Sequence, residues 1–406
     1  MPDPDARRVR SRMEEPIWLP ATHPVRRWPP LLGGLGLAGM LVSVLLGSGR
    51  SAVFWHAYLV AFLFVISLSA GGLFFVLLHF VTRAGWSVVV RRLAEHVAAA
   101  MPFMALLAVP LFWALPQLYP WARPDVVAAD QVLKGKEAYL NTSFFSWRAL
   151  FYLISWSCSA WWLRRKSLLQ DRRAGNHLTV LLQQASAPLM VLLALTSTFA
   201  GFDWIMSLTP RWFSSIFGVY FFSGCVVGIF AFLIILAVMV DRGGVLAGVF
   251  SVEHLHDMGK LLFAFVVFWA YIGFSQFLLI WYAGIPEETI FYATRLRPGW
   301  YGVTVVLALG HFVLPFFLLL SRHAKRRRPI LVAGSIWMLA MHYLDLYWLV
   351  MPGLDPEGAT FHLLDLTCLA GFLGLFLASV AVLIRRAPVV PVHDPRLPES
   401  IAFENV

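Results

Sequence analysis

The stretch FWHAYLVAFLFVISLSAGGLFFVLLHFVT occupies residues 54–82 and contains no Asp, Glu, Lys or Arg. About 20 apolar residues are enough for a helix to cross the hydrocarbon core of a bilayer, so this run predicts a transmembrane helix. Nine more apolar runs of sufficient length fill most of the 406-residue chain. We place the ten predicted spans at residues 29–47, 54–82, 93–115, 144–163, 185–204, 213–240, 261–283, 300–320, 329–351 and 361–384.

The composition supports a membrane protein. Hydrophobic residues make up 59% of the chain and charged residues 13%, whereas a soluble domain of this length exposes far more charge. We therefore predict an all-α polytopic membrane protein with about ten transmembrane helices in one domain, residues 29–384. Residues 1–28 are predicted as a polar arm without a signal-peptide cleavage pattern, and residues 385–406 as a Pro-rich tail. We expect both to become ordered only against a partner.

Lys and Arg are concentrated on one side of the predicted membrane. The amino-terminal arm, the loops 83–92, 164–184, 241–260 and 321–328, and the carboxy-terminal tail carry 24 of the 32 such residues. The alternate loops carry seven, and Arg148 lies inside the fourth span. Because positive residues favour the cytoplasmic side, we expect both termini there, as an even number of spans requires. The net charge of +10 is then explained by contact with anionic membrane lipids, so we predict lipids as partners and no nucleic acid.

Several kinds of redox and energy-coupling chemistry are excluded by missing motifs. No CxxC, CxxCH or P-loop motif is present, and the three cysteines all lie within predicted spans. Iron–sulfur ligation, covalent haem attachment and ATP hydrolysis are therefore not expected in this chain. His56 and His79 lie about 34 Å apart along one helix, too far to hold one haem, although pairing between helices stays open. The string HLHD at 254–257 is predicted as a loop, where solvated histidines are favoured over a metal site, so we predict no bound metal.

Ionisable side chains within the spans are functional candidates, because a charge at bilayer depth is energetically costly. His311 lies roughly 16 Å below the outer end of the eighth span, and His342 and Asp345 lie roughly 13 and 9 Å below that of the ninth. Their three-residue spacing places His342 and Asp345 on one helical face. Asp365, roughly 6 Å inside the tenth span, completes a ladder of ionisable groups in the outer half of the membrane.

The ladder has two interpretations. Histidine and carboxylate groups tuned by burial exchange protons near neutral pH, as a proton half-channel open to the outside requires. A quinone headgroup site made from the same residues is a special case of this interpretation. The alternative is structural, with each group satisfying another or capping a helix end, and Asp365 is shallow enough to be an interface residue.

The positions of other polar residues favour structural roles. Asp203 lies at the outer end of the fifth span, and Asp257 and Lys260 open the seventh, where an acid in the first helical turn is a common cap. Tyr271 and Gln276 belong to a polar strip on the seventh span, which is typical of hydrogen bonding between membrane helices. The outer loops 116–143 and 284–299 are long and charged, which favours them as docking surfaces for a partner on the outer side.

Five strings between residues 200 and 290 resemble one family. They are FDWIMSL at 202–208, WFSSIFGVY at 212–220, HDMGKLLFAF at 256–265, FWAYIGFSQF at 268–277 and IWYAGIPEET at 280–289. Together they are similar to the ActF-type subunits of the NrfD/PsrC-like family, which are integral membrane components of bacterial alternative complex III. The predicted span number and topology extend the resemblance over the whole chain.

The resemblance implies a fold, a location and a set of partners. Such subunits form two four-helix bundles with flanking helices in the bacterial inner membrane. Their complex oxidises quinol and passes electrons to cytochrome c or directly to an oxidase. Its haem c and iron–sulfur centres are bound by partner subunits, and an ActC-type sister subunit is usually assigned the quinol site. ActF-type subunits are usually discussed as a proton pathway, although they are also described as a second quinone-binding subunit.

Carried over position by position, the resemblance adds candidate proton-pathway residues to the ladder. The matching strings contain Asp203, Asp257, Lys260, Tyr271, Gln276, Tyr282, Glu287 and Glu288. We therefore expect a subunit without a redox centre of its own, which conducts protons or supports quinol binding in a quinol-oxidising respiratory complex. The alternative is a purely structural anchor for peripheral redox subunits. A secondary transporter is disfavoured, because paired Gly/Pro-broken helices are not evident in the two halves.

Overall fold

A computed structural model of the chain describes residues 16–172 and 175–405. Residues 1–15 of the predicted arm lie outside the described residues. Within the described ranges the chain is helical and forms no β-strand, apart from an isolated parallel bridge between Gly299 and Gly358.

Ten helices run the length of the bundle. They are α1 (Pro29–Gly47), α2 (Ser51–Val81), α3 (Val88–Trp113), α4 (Thr142–Gln170), α5 (His177–Trp204), α6 (Phe217–Val240), α7 (Val252–Ala283), α8 (Pro298–Leu320), α9 (Arg328–Val350) and α10 (Leu363–Arg385). α3 is broken into Val88–Ala98, Met101–Leu106 and Val109–Trp113, with Pro102 and Pro110 near the new starts, because proline cannot donate within a helix. α8 contains a π-helical segment, Ala308–Val313.

Short helices lie in the connections. They are Pro24–Arg27, Leu115–Leu118, Pro120–Ala122, Pro124–Ala129, Gln131–Gly135, Met206–Leu208, Pro286–Arg295, Arg322–Arg326, Met351–Gly353 and Leu397–Ile401.

Nine of the ten helices in the described ranges are long and apolar enough to cross a membrane. The remaining one, α4, has 29 residues, so its length is sufficient, but serines, tryptophans and Arg148 lower its hydropathy. The prediction of an all-α polytopic membrane protein is confirmed. The predicted boundaries differ most from the structure at α4, α5 and α7. α5 begins eight residues earlier than predicted, α7 begins nine residues earlier and α4 ends seven residues later, because the added turns carry charged and polar residues.

α2 is the central helix of the bundle. It contacts α3, α5, α6, α9 and α10, and its most apolar window is completely buried. Helices α2 to α5 form one four-helix bundle and α6 to α9 form a second, while α1 and α10 flank them. A central helix meets neither water nor lipid, so a charged side chain there would need a buried partner. This explains the uncharged run at 54–82.

The flanking helices α1 and α10 pack backbone against backbone. Gly36 and Gly39 of α1 face Gly371 and Gly374 of α10. A Cβ atom at Gly36 would lie 2.7 Å from the Leu375 nitrogen, closer than such atoms can approach. Small residues at this spacing allow membrane helices to approach closely and gain dispersion contacts.

The described termini meet the positively charged loops at one end of the bundle, called here the basic end. Arg92 pairs with Glu95 at 3.0 Å and with Asp171 at 2.7 Å. Arg91 pairs with Glu95 at 3.6 Å and also with Asp394 of the tail. All these side chains are nearly buried, so each charge needs a partner. The network ties the tail to α3 and to the end of α4.

The tail was predicted to need a partner for order, and that prediction was wrong for its described part. The Val389 N–H donates to the Ile17 carbonyl at 2.8 Å, and the Ser400 hydroxyl donates to the Trp86 carbonyl at 2.6 Å. Val390 and Leu397 are buried against the bundle. The chain supplies its own partner surface, because burial of these apolar side chains offsets the entropy of ordering the tail.

Substituting Gly36→Ile tests the α1–α10 contact. We expect a loss of about 1–3 kcal/mol in the free energy of unfolding, because the added side chain cannot fit between the two backbones. The measurement is thermal and denaturant unfolding of the detergent-solubilised protein. Gly34→Ile is the matched control, since nothing lies within 4 Å of a Cβ atom there. Equal destabilisation by both variants would contradict this description of the contact.

Candidate functional site

His342 and Asp345 of α9 lie in the middle of the second bundle and are fully buried. One Asp345 oxygen accepts from the Tyr220 hydroxyl of α6 at 2.6 Å, and the other accepts from the Trp269 indole N–H of α7 at 3.1 Å. In the described part of the chain, no salt bridge reaches Asp345. The carboxyl is therefore held by two neutral donors, without a neighbouring cation in contact.

His342 is hydrogen-bonded to Ser67 of α2, with 2.8 Å between Nε2 and Oγ. Ser67 already donates its single hydroxyl proton to the Phe64 carbonyl at 2.7 Å. It can therefore only accept from His342, which assigns the imidazole proton to Nε2. The Nδ1 atom is buried and has no hydrogen-bond partner in the described structure, so it is free to accept a proton.

Two glycines of α6 make room for the imidazole. A Cβ atom at Gly224 would lie 3.1 Å from the His342 Cε1 atom, and one at Gly228 would lie 3.0 Å from its Cδ2 atom. Both distances are tighter than ordinary contact, so larger residues would push the ring aside. These glycines fix the position of His342 against α2.

His311 joins the same region through the π-helical segment of α8. Its ring stacks on Trp269 with 3.8 Å between centroids and 23° between planes. It is fully buried, and neither ring nitrogen has a hydrogen-bond partner in the described structure. The Trp337 indole of α9 donates to the Gly310 carbonyl at 2.7 Å, which satisfies a backbone group that the irregular turn leaves open. Such π segments often occur at functional sites.

The structure thus brings together three of the four predicted ladder residues. We call this group the Asp345 cluster, and its members are Ser67, Tyr220, Trp269, His311, His342 and Asp345. It joins α2, α6, α7, α8 and α9 across the second bundle. A carboxyl and two imidazoles with free nitrogen atoms, shielded from bulk water, can bind and release protons if water reaches them.

Asp365, the fourth member of the predicted ladder, lies outside the cluster. Its Oδ2 atom accepts from the backbone N–H of His362 at 2.8 Å, which completes a capping box at the start of α10. Tyr343 of α9 donates to the backbone carbonyl of Asp365 at 3.0 Å, and not to its carboxyl group. This geometry favours the structural alternative for Asp365, in which the first turn of α10 uses its carboxylate as a cap.

Asp203 forms a second buried polar site, in the first bundle. It binds Arg148 of α4 in a bidentate pair, with both distances 2.8 Å, and accepts from the Tyr152 hydroxyl at 2.8 Å. The Arg148 guanidinium also stacks on Tyr139 at 3.8 Å. Asp203 is therefore an ion-pair partner and not a helix cap. The sequence carried the signal, since an arginine within an apolar span needs a nearby acid.

The residues taken from the family resemblance occupy different environments. Asp257 and Lys260 pair with each other at the basic end, and Lys260 is partly exposed. Gln276 is buried and donates to the Tyr292 hydroxyl at 3.2 Å, as expected for a bond between elements. Tyr271 has 63% of its surface exposed, so it faces outward from the bundle, and the predicted strip splits between two faces of α7. Tyr282 and Glu287 are also exposed, and Glu288 is half-buried.

Three other histidines form hydrogen bonds within their own helix or its cap. His56 and His79 both bond carbonyls one turn earlier in α2, at 2.8 and 2.6 Å. His254 lies within the first turn of α7 and not in a loop, and it forms a capping box with Ser251. Among the described residues, no group of three His, Cys, Asp or Glu side chains could hold a metal ion.

No family model matches the sequence, and no curated protein matches it either. The residues that sequence reasoning missed are Ser67, Tyr220 and Trp269, together with the two glycines of α6. Serine, tyrosine and tryptophan are common in membrane spans, so their types alone did not distinguish them. Tyr220 and Trp269 do lie within the strings 212–220 and 268–277.

Changing one member of the Arg148–Asp203 pair should destabilise the protein. We expect Asp203→Leu to cost about 3–5 kcal/mol, because it leaves the arginine buried and unpaired. Asp203→Leu combined with Arg148→Met should recover most of that loss. The measurement is a double-mutant cycle on the free energy of unfolding. Asp130→Asn is the control, because its partner Arg211 is exposed and little change is expected. Additive effects of the two buried changes would contradict the pairing.

Proposed function

We propose that this protein is a membrane subunit of a quinol-oxidising respiratory complex of the alternative complex III type, and that the Asp345 cluster is part of its proton path. The observation that carries the proposal is the complete burial of Asp345, His342 and His311 without a countercharge in contact. Burying ionisable groups in a membrane costs free energy. If these side chains served only for packing, apolar residues would fill the same space at a lower free-energy cost. We therefore expect buried ionisable groups of this kind where they have a functional role.

The arrangement of the cluster suits a proton relay. The Tyr220 hydroxyl donates to Asp345, and the buried His342 Nδ1 atom has no hydrogen-bond partner in the described structure. His311 stacks on Trp269, and its two ring nitrogens have no partner in the described structure. Short chains of such groups and ordered water transfer protons through membrane proteins. No redox centre in this chain is required for that role.

The other parts of the proposal come from the family resemblance. They are the NrfD/PsrC-like family, the bacterial inner membrane, cytoplasmic termini, and partners that include an ActC-type sister subunit. Partner subunits with iron–sulfur clusters and haem c would supply electron transfer, and quinol oxidation there would drive proton movement here by coupling between sites. The basic end, which holds both described termini, would face the cytoplasm.

Replacing Asp345→Asn or His342→Phe should lower the number of protons translocated per electron, while the complex still assembles. Asn can accept from the Trp269 indole through its amide oxygen and donate to the Tyr220 hydroxyl through its amide nitrogen, but it cannot release a proton at physiological pH. We expect loss of most of the translocation that depends on this subunit. The measurement is proton release and electron flow in the purified complex reconstituted into vesicles.

Asp365→Asn is the matched control, because it alters a buried acid outside the cluster and an amide oxygen can still cap α10. It should leave the proton-to-electron ratio unchanged. If Asp345→Asn and His342→Phe also leave it unchanged, the proton path is rejected in favour of a structural anchor. If Asp365→Asn lowers the ratio as strongly, the boundary drawn around the Asp345 cluster is wrong.

A further inference from the structure

A cavity of about 380 Å³ lies at the end of the first bundle opposite the basic end. The outer end of α5, the turn between α5 and α6, and the chain around Lys136 form its walls, and we call it the Lys136 cavity. Phe199 of α5 and Phe213 of the turn line it and are exposed on the surface of the bundle. The cavity therefore opens sideways, at the level where a transmembrane helix ends and lipid headgroups begin.

Lys136 places a positive charge on the wall of this cavity. Its ammonium group donates to the Pro210 carbonyl at 2.7 Å and lies 5.7 Å from the ring centre of Phe213. Among the described residues, no carboxylate forms a salt bridge with it. An ammonium group has three N–H donors, so two of them remain for a ligand. Burial lowers the pKa of Lys136, and a bound anion would offset that effect.

Trp212 adds a second donor to the lining of the cavity. Its side chain is only 2% exposed, and its indole N–H has no hydrogen-bond partner in the described structure. The ring is held in place by stacking on Phe291, with 4.0 Å between the ring centroids. A buried N–H without an acceptor costs free energy. An acceptor that reached this N–H from the cavity would remove that cost.

The acidic side chains of the same loop do not neutralise the cavity. Asp130 pairs with Arg211, and Glu137 is exposed and does not line the cavity. The described lining therefore combines two donors, the Lys136 ammonium and the Trp212 indole, with no carboxylate. Such a lining favours a ligand with negatively charged oxygen atoms.

A row of exposed apolar side chains leads from the cavity toward the middle of the membrane. The row consists of Val191, Leu195 and Phe199 of α5, all of which are exposed. Their four-residue spacing places them on one face of the helix, and the row is about 12 Å long at 1.5 Å per residue. Phe199 also lines the cavity. Hydrocarbon chains attached to a head in the cavity would therefore lie along this face of α5.

We propose that the Lys136 cavity binds the headgroup of an anionic phospholipid, with its phosphate at Lys136 and Trp212 and its acyl chains along α5. The proposal is independent of the proposed function, because it concerns a surface of the first bundle. Phosphate oxygens are strong acceptors for both donors. A zwitterionic lipid fits less well, since its head would bring a second cation close to Lys136. A free phosphate ion would meet the same donors but would cover none of the apolar row.

The test is photolabelling of the full-length protein in phosphatidylcholine nanodiscs. The probe is a trace of phosphatidylglycerol with a diazirine in one acyl chain, and mass spectrometry locates the labelled peptides. We expect label concentrated on residues 191–199 of α5, displaced by unlabelled phosphatidylglycerol and not by inorganic phosphate. Displacement by inorganic phosphate would identify a site for a free anion, and label spread evenly over the exposed helix faces would show that no lipid is selected. Either result overturns the proposal.

Two neighbouring lysines provide a matched comparison. Lys136→Gln removes the cation from the cavity, so labelling of residues 191–199 should fall about tenfold. Lys134→Gln removes an exposed cation that does not line the cavity, and should leave labelling within about twofold. Lys136→Arg keeps the charge and should retain more label than Lys136→Gln. Equal labelling of the two Gln variants rejects a lipid headgroup at Lys136 and favours an acidic side chain of a partner protein there.

Filling the cavity tests the same site without changing its charge. Ala138 lines the cavity and is exposed, so Ala138→Trp places a bulky ring at its mouth and should lower labelling about tenfold. Ala128→Trp adds the same side chain to an exposed position of the same loop outside the cavity, and should leave labelling within about twofold. Labelling that is as strong in Ala138→Trp as in Ala128→Trp contradicts binding in the cavity.

Discussion

The burial of polar groups within a membrane bundle is the constraint on which the rest of this structure depends. Asp345 lies at bilayer depth, so its hydrogen bonds have to come from protein, and Tyr220 and Trp269 supply them. Each donor sits on a different helix, which fixes α6 and α7 against α9. Gly224 and Gly228 of α6 have the same origin, because a larger residue at either position would displace the imidazole of His342. Without the buried polar groups of Asp345 and His342, nothing would require Tyr220, Trp269 and the two glycines to stand where they do.

The distribution of charge follows from the same constraint. The central helix α2 is surrounded by other helices of the bundle and contains no Asp, Glu, Lys or Arg between residues 54 and 82, because a charge there would have no accessible partner. Charged side chains near the ends of the bundle are paired instead. Arg148 binds Asp203 in the first bundle, and Arg92 binds Glu95 and Asp171 at the basic end. These ion pairs lie near the ends of helices. They therefore fix the positions of neighbouring helix ends relative to one another and place no charge in the core of the bundle.

The number of long helices and the shared helical face of His342 and Asp345 could be predicted from sequence, because hydrophobic length and three-residue spacing are local properties. The environment of the pair could not, since Tyr220 and Trp269 are distant in sequence and ordinary in type. The π-helical turn that aims His311 at Trp269 also has no local signal. The position of Asp365 outside the cluster could not be predicted either, because depth in a span does not reveal whether a carboxylate caps its own helix. The tail was misread because its polar composition hid Val390 and Leu397, which pack against the bundle.

Tyr220 and Trp269 connect two parts of the second bundle, because each donates to Asp345 and also lines a neighbouring cavity between α7 and α8. A side chain that donates to Asp345 and also forms the wall of a cavity cannot change one contact without affecting the other. Occupancy of the cavity and the protonation of Asp345 are then linked, and thermodynamic linkage requires the effect to be reciprocal. A ligand that draws either donor toward itself would weaken the hydrogen bonds that hold the carboxylate and favour its protonated form.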